Sequence, residues 1–282
     1  NLGFETHFTS PNYSINFFGF GNKSDNLNFT DENNFNENYN RVKIRNFKFS
    51  PYLIWRGELG GNLKFGVSYE TIEVEKTMGR FIENFYTSTG ISTKNHFLGT
   101  EASYNFENQD NKAFPTLGMK ATITAGYKSN IDDTTGFGYL IPSLSFDYKL
   151  IPSGQLVLAT KFHGHLTYGE NFQFYQGASI GANNGLRGYR NQRFTGQDAY
   201  YQNTDIRLNL RKFKTGLLPF HIGIYGGVDY GRVWSQLDTT NNWNSSLGGG
   251  VFLNGADMIS ANISVFKGKE NARIAFSLGF TF

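Results

Sequence analysis

The sequence predicts an all-β fold, a transmembrane antiparallel β-barrel, and three observations predict it. Apolar and polar residues alternate with period two along most of the chain, as in strands with one greasy and one wet face. Several of these strands are long. Segments 39–53, 58–74 and 218–234 exceed the roughly 5–6 residues usual in globular sheets, and a tilted strand needs about 9–11 to cross a bilayer. Short turns also alternate with long polar loops, which is how a barrel divides its connections between two membrane surfaces.

Composition narrows the class further. Aromatics make up 17% of the 282 residues, with 28 Phe and 16 Tyr, while charged residues are held to 17%; that mixture suits an apolar outer wall with aromatic girdles. No run of about 18 consecutive apolar residues exists, which excludes a helical membrane protein. The absence of cysteine excludes a disulfide scaffold and thiolate metal sites. A net charge of +3 without a basic block implies no nucleic-acid partner. The chain opens on Asn1-Leu2-Gly3-Phe4-Glu5, already strand-like, so residues 1–282 read as one barrel domain, mature or truncated at its N-terminus.

Taken in order, the segments are 2–9, 12–21, 39–53, 58–74, 95–107, 113–127 and 135–150, then 154–168, 173–180, 199–212, 218–234, 244–254, 257–267 and 271–282. That is fourteen strands. The short turns fall near Pro11, Arg56-Gly57, Pro152-Ser153, Thr215-Gly216 and Gly255-Ala256, and the long loops are 22–38, 75–94, 171–198 and 235–243. In 58–74, Leu63, Phe65, Val67 and Tyr69 alternate with Lys64, Gly66, Ser68 and Glu70. In 113–127, Leu117, Met119, Ala121 and Ile123 alternate with Lys120, Thr122 and Thr124. In 199–212, Ile206, Leu208 and Leu210 oppose Asp205, Arg207, Asn209 and Arg211. In 257–267, Ile259, Ala261, Ile263 and Val265 alternate with Ser260, Asn262 and Ser264. The last segment sets Ile274, Phe276, Leu278, Phe280 and Phe282 against Arg273, Ala275, Ser277, Gly279 and Thr281. In 39–53 the parity breaks between Val42/Ile44 and Phe47/Phe49, which predicts a β-bulge at Asn46. A closed sheet leaves no backbone group unpaired in lipid, so fourteen strands close on themselves or partner strands precede Asn1.

Two motifs stand out. Gly185-Leu186-Arg187-Gly188-Tyr189-Arg190 lies in the 171–198 connection, where such a sequence is ordinarily a solvated surface loop. Gly227-Val228-Asp229-Tyr230-Gly231 lies inside 218–234. There Phe220, Ile222, Ile224 and Val228 share one parity while Asp229 shares the other with His221 and Tyr225, so Asp229 faces the lumen. A carboxylate inside a strand is costly unless hydrated or paired.

Leu186-Arg187-Gly188-Tyr189 resembles the loop-six signature of the BamA/TamA superfamily, and Gly227-Val228-Asp229-Tyr230-Gly231 resembles its partner motif on a later strand. Five strand segments follow the loop and the chain ends on Phe, as in that family. The resemblance implies a loop folded into the lumen, with Arg187 paired to Asp229 and Arg187, Gly188, Tyr189, Asp229 and Gly231 forming a loop–lumen lock. Phe276, Phe280 and Phe282 resemble a C-terminal assembly signal, though any lipid-facing final strand has this pattern. Gly19-Phe20-Gly21-Asn22 resembles members that carry an enzymatic passenger. Implied with the family are a bacterial outer-membrane location and a role in protein insertion or translocation, or as the membrane barrel of an absent passenger. Implied partners are outer-membrane phospholipid and lipopolysaccharide, the barrel-assembly machinery during biogenesis, and other outer-membrane or periplasmic proteins. The family barrel has sixteen strands and its insertases carry periplasmic POTRA domains. Two strands and those domains are missing from this reading.

Chemistry-bearing clusters are sparse. His163 and His165 share a strand face, a spacing that suits metal ligands, but no third ligand is recognisable. There is no Gly-x-Ser-x-Gly elbow, phosphate-binding loop or carboxylate dyad, so neither an enzyme nor a cofactor is expected. Lys120, Lys161, Asp205, Arg207 and Arg211 read as a hydrated interior. The alternative function is a passive porin-like diffusion channel, with stable conductance and no partner proteins.

Overall fold

The computed structural model describes residues 2–9, 13–24, 36–57, 60–112, 114–133, 135–169, 172–214, 219–236, 238, 240–255 and 259–280. The strands are β1 (Leu2–Thr9), β2 (Ser14–Asn16), β3 (Arg41–Arg56), β4 (Gly61–Val74), β5 (Lys94–Glu107), β6 (Gly118–Asn130), β7 (Gly136–Lys149) and β8 (Leu156–Tyr168). They continue as β9 (Ala178–Ile180), β10 (Phe194–Gly196), β11 (Asp198–Lys214), β12 (Pro219–Trp234), β13 (Asn244–Gly255), β14 (Ile259–Lys267) and β15 (Ala272–Phe280), with one helix, α1 (Phe81–Thr89). The wall runs β1-β3-β4-β5-β6-β7-β8-β11-β12-β13-β14-β15, every pair antiparallel. Among the described residues β1 and β15 are its two edges and do not pair with each other.

The period-two reading holds along this wall. Leu63, Phe65, Val67, Ile123, Ile224, Val228, Val251, Ile263, Ile274 and Leu278 are exposed apolar side chains, as an outer face in lipid requires. Their sequence neighbours turn inward, where Lys128 pairs with Glu70 and Arg207 with Asp147. Placing a charge on the outer face is therefore costly: Ile123→Arg, on a side chain 45% exposed to lipid, should lose about 2–4 kcal/mol near the midplane. Thr122→Arg removes only a lumen hydrogen bond to Asn105, worth about 0.5–1.5 kcal/mol. Urea titration of the two variants refolded into vesicles, followed by heat-modifiability on gels, separates them; equal losses would reject this facing.

Among the described residues the sheet has thirteen strands, twelve in the continuous wall and β2 beside β3, rather than fourteen wall strands as expected. Segment 12–21 is not a hairpin partner of 2–9. β1 and the three-residue β2 both lie antiparallel along the same edge of β3, Thr9 opposite Asn46 and Ser14 opposite Lys43, so the chain keeps its direction between them. Pro11 itself lies outside the described residues. Segment 173–180 likewise leaves the wall, since β9 pairs only with β10 in a small separate sheet. In both segments the alternating apolar residues are real but pack inside the barrel. The strand expected from 113 begins at Gly118, and Asp110 N–H donates to Leu117 O across the connection that precedes it.

The bulge expected at Asn46 is absent. Ile44↔Val74, Phe47↔Thr71, Phe49↔Tyr69 and Leu53↔Phe65 step residue for residue without a slip. The hydrophobic parity changes because the inner face of β3 changes character: Val42 and Ile44 point inward under an apolar dome, and Asn46 continues that face as a polar residue bonded to Glu70. The irregularity lies elsewhere, between Asn209 and Arg211 of β11.

That dome closes the loop-rich end of the lumen. Helix α1, inside the long 75–94 loop, buries Ile82 and Tyr86 one turn apart and ends on Gly90 in the left-handed region (φ 66°). It packs with Phe17, Phe174, Val42, Ile44, Ile72, Val74 and Phe97. Phe17 stacks on Phe174 at 4.4 Å between centroids and meets Phe85 edge-on at 5.2 Å, pairs worth about 0.5–1.5 kcal/mol each beyond area burial.

Candidate functional site

The 171–198 connection turns back into the lumen. β9 and β10 pair through Phe194↔Ile180 and Gly196↔Ala178, and the segment between them forms a compact knot in which Leu186 N–H donates to Gly181 O at 2.8 Å and Tyr189 N–H to Leu186 O at 3.1 Å. Gly185 adopts φ 102°, and a Cβ there would sit 2.4 Å from the Tyr201 ring; only glycine fits. Leu186, Tyr189 and Phe194 are buried against Ala199, Tyr201 and Val233 of the wall. The apolar residues of the loop pack it against the wall and leave Arg187 aimed at the polar face of β12.

Arg187 lies between two carboxylates. Its Nε donates to Asp229 Oδ1 and Oδ2 at 2.9 and 3.1 Å, its Nη2 reaches Asp229 Oδ1 at 2.6 Å, and its backbone N–H reaches Asp229 Oδ2 at 2.9 Å. On the other side Nη2 and Nη1 bond Asp205 Oδ1 and Oδ2 at 2.7 and 3.2 Å. A guanidinium suits this position because its five donors radiate in a plane, a fork that an ammonium lacks. The guanidinium carbon lies 3.9 Å from the centroid of the Phe266 ring, a cation–π contact. Asp229 is fully buried and also accepts from Asn203 Nδ2 at 2.6 Å and Ser246 Oγ at 2.7 Å. A buried carboxylate with this many donors has its desolvation offset.

The remaining motif residues surround this pair. Gly188 N–H donates to Ser246 Oγ at 3.2 Å, and a Cβ on Gly188 would lie 2.5 Å from Gly268 N and 2.8 Å from Lys267 C. Tyr189 OH donates to Ser245 O and accepts from Lys269 N–H, both at 3.2 Å, which ties the loop to the β14–β15 turn. Gly231 lies against Tyr200 and Tyr201, where a Cβ would be 3.0 Å from each. Phe276 projects outward from β15, 67% exposed. Phe280 pairs with Ile259 through its backbone, while its side chain and Phe282 lie outside the described residues.

The family resemblance pairs Arg187 with Asp229 and leaves Asn203, Ser246 and Phe266 unassigned. Asp205 had been assigned to a hydrated interior, yet it is the second carboxylate on Arg187. The signal was its lumen parity on the strand beside β12, where it falls opposite Gly227. A Cβ at 227 would lie 2.0 Å from Asp205 Oδ1, so that glycine makes room for the carboxylate. His163 stacks on Tyr201 at 4.8 Å, and among the described residues no three metal-ligating side chains converge.

The 17–24 segment is fastened at the same end. Asp238 accepts from Asn22 N–H at 2.5 Å and Asn22 Nδ2 at 2.9 Å, and from Thr240 N–H and Oγ1. Partial burial pushes its carboxyl up, but these donors outweigh burial and bring it down to about 2. Because the folded value lies below the ordinary 3.8, the clasp contributes stability above about pH 3.8 that is lost as pH falls through about 2. Hydrogen exchange at the Asn22 amide should accordingly stay slow at pH 4 and rise near pH 2; a rise already complete at pH 4 would contradict the clasp.

Residues 83–254 match the family model described as haemolysin secretion/activation protein ShlB/FhaC/HecB. No curated protein sequence matches. The crystal structure of BamA from Haemophilus ducreyi lacking POTRA domains 1–3 superposes with a TM-score of 0.67 at 15% identity, over 86% of this chain and 55% of that one. The chain thus spans about half the length of that structure, and the likeness concerns the barrel fold. The KdgM porin in complex with disordered oligogalacturonate gives a TM-score of only 0.34 at 9% identity, over 86% of this chain and 96% of that one.

Proposed function

The chain belongs to the ShlB/FhaC/HecB family of haemolysin secretion/activation proteins, within the Omp85 superfamily of outer-membrane β-barrels, and from that premise we propose that it passes an unfolded polypeptide across or into the outer membrane. The observation that carries the proposal is the inward-folded loop, whose Arg187 is held between Asp205 and Asp229. A barrel built for free diffusion keeps a water-filled channel. Here the loop and the aromatic dome lie inside the lumen, so passage of a chain requires them to move. Among the described residues β1 and β15 do not pair with each other, and a sheet edge can offer backbone donors and acceptors to an extended chain. In this reading the work is conformational: no bond of the polypeptide is made or broken, and no cofactor takes part.

Deleting the chain from its bacterium and comparing the secreted and outer-membrane proteins tests this. The expected result is loss of one or a few polypeptides from the surface or medium, with their accumulation in the periplasm. An unchanged protein profile with slower uptake of small solutes would overturn the reading in favour of a diffusion channel.

A further inference from the structure

At the opposite end of the lumen from the dome, a phenylalanine from a turn is inserted among wall residues. Phe114 lies in the connection between β5 and β6, on the side of the short connections. Its ring lies 4.3 Å from that of Phe252 and 4.9 Å from the Arg207 guanidinium carbon. Phe252 neighbours Tyr225 at 6.5 Å, and Tyr225 neighbours Phe266 at 6.4 Å. Phe266 in turn carries the Arg187 guanidinium on its face. One file of rings therefore runs from the turn to the loop lock.

The pocket belongs to the wall and its occupant does not. Phe252 and Phe266 are buried to within 2% and Tyr225 to 9%, and Phe252 lies across Gly223, where a Cβ would come 2.1 Å from its ring. The turn that supplies Phe114 is held mainly by its own bonds: Asp110 accepts from Thr116 N–H, Thr116 Oγ1 and Leu117 N–H, and Asn111 Oδ1 accepts from Phe114 N–H at 2.9 Å. Side chains tie it to the wall at three points: Gln109 Nε2 donates to Asp147 Oδ2 at 2.7 Å, Lys149 pairs with Asp110 at 3.5 Å, and Arg207 Nη1 reaches Pro115 O, long at 3.4 Å. A turn built this way can leave the pocket without unpairing a wall strand.

We propose that the pocket of Tyr225, Phe252, Phe266 and Arg207 binds an aromatic side chain of an incoming polypeptide, and that Phe114 occupies it in the resting state. The proposal rests on the polypeptide-passing reading above and names the side-chain class first engaged. An aromatic ring fits because the pocket offers ring edges and faces together with a cation over the bound face. Phe114 competes from a short tether, at an effective concentration of the order of millimolar, so a free peptide binds weakly until the tethered ring is removed. Exchange of one ring for another at Phe252 would reach Arg187 through Tyr225 and Phe266.

The test uses the full chain in detergent and two fluorescein-labelled octapeptides, Ser-Asn-Phe-Thr-Asn-Phe-Ser-Asn and the same peptide with Ser in place of both Phe. Anisotropy should show the Phe peptide binding Phe114→Ser at least tenfold more tightly than the unaltered chain. The Ser peptide should bind neither, and adding Phe252→Ala should abolish the gain. A second measurement needs no substitution: saturating Phe peptide should shift the Phe114 ring resonances of the unaltered chain to solvent-exposed values. Equal affinities for Phe114→Ser and the unaltered chain, equal binding of the two peptides, or unchanged Phe114 ring resonances would each overturn the proposal. Normal peptide behaviour in a chain whose deletion leaves secretion intact would instead remove the polypeptide-passing reading.

Discussion

Arg187→Ala should release the loop from the lumen, at a cost of about 3–5 kcal/mol in docking free energy, the range for removing one partner of a buried pair. The substitution strands two carboxylates at once: Asp229, fully buried, and Asp205, largely so. The arginine side chain keeps 23% of its exposure, so solvent screening places the loss toward the lower end. Asp229→Ala should cost less, because Arg187 retains its bidentate contact with Asp205. The double substitution should fall short of the sum, since the residues share one network. Planar-bilayer recording reads the consequence: brief, small openings in the unaltered chain and larger, longer ones in Arg187→Ala. Identical conductance would mean that the loop stays docked without its arginine.

Gly188→Ala is the second large effect, and it acts without touching any charge. Its Cβ would meet the Gly268 backbone nitrogen at 2.5 Å, Ser246 Cβ at 2.7 Å and the Lys267 carbonyl carbon at 2.8 Å. Two of these are backbone atoms of the β14–β15 end and cannot rotate aside. Overpacking of this kind costs about 1–3 kcal/mol or more, and the loop must withdraw from Ser246 to relieve it. Trypsin should then cut faster at Arg190 and Arg193. Gly226→Ala is the control, because its Cβ would meet nothing nearer than Gly248 O at 3.9 Å. Equal trypsin rates in the two variants would show that Gly188 is not held against the wall.

Much of this architecture was legible in the residues, and the part that was not has physical causes. Parity assigned Asp229 to the lumen because a strand face is a local property, readable from one segment at a time. Asp205 had the same parity, but its role depends on β11 and β12 pairing so that it falls opposite Gly227, a long-range fact. The resemblance supplied the partner motif and left out the second carboxylate. Segments 12–21 and 173–180 failed for a related reason: apolar alternation reports a buried face, and it reads the same whether that face lies on a wall or inside a lumen. Phe17, Phe174, Ala178 and Ile180 do the latter. Helix α1 was missed because its nine residues include Glu83, Asn84, Thr87, Ser88 and Thr89, too short and polar for its buried pair, Ile82 and Tyr86, to stand out. The parity break in β3 had a cause other than a bulge, since the dome above it makes an inward face apolar.

The central claim is that one guanidinium shared by two carboxylates holds the loop inside the barrel. Hydrogen exchange at the amides of residues 186–194 tests it most directly, in the unaltered chain, Asp205→Asn, Asp229→Asn and the double variant. These changes keep side-chain shape while removing the negative charge and turning one acceptor oxygen into an NH2 donor, so packing is preserved while Arg187 loses its ionic, bidentate partners. Each single variant should exchange at least tenfold faster, and the double variant should lose protection throughout the loop while the wall strands stay protected. Wild-type protection in the double variant would contradict the claim and leave the loop held by its apolar residues alone.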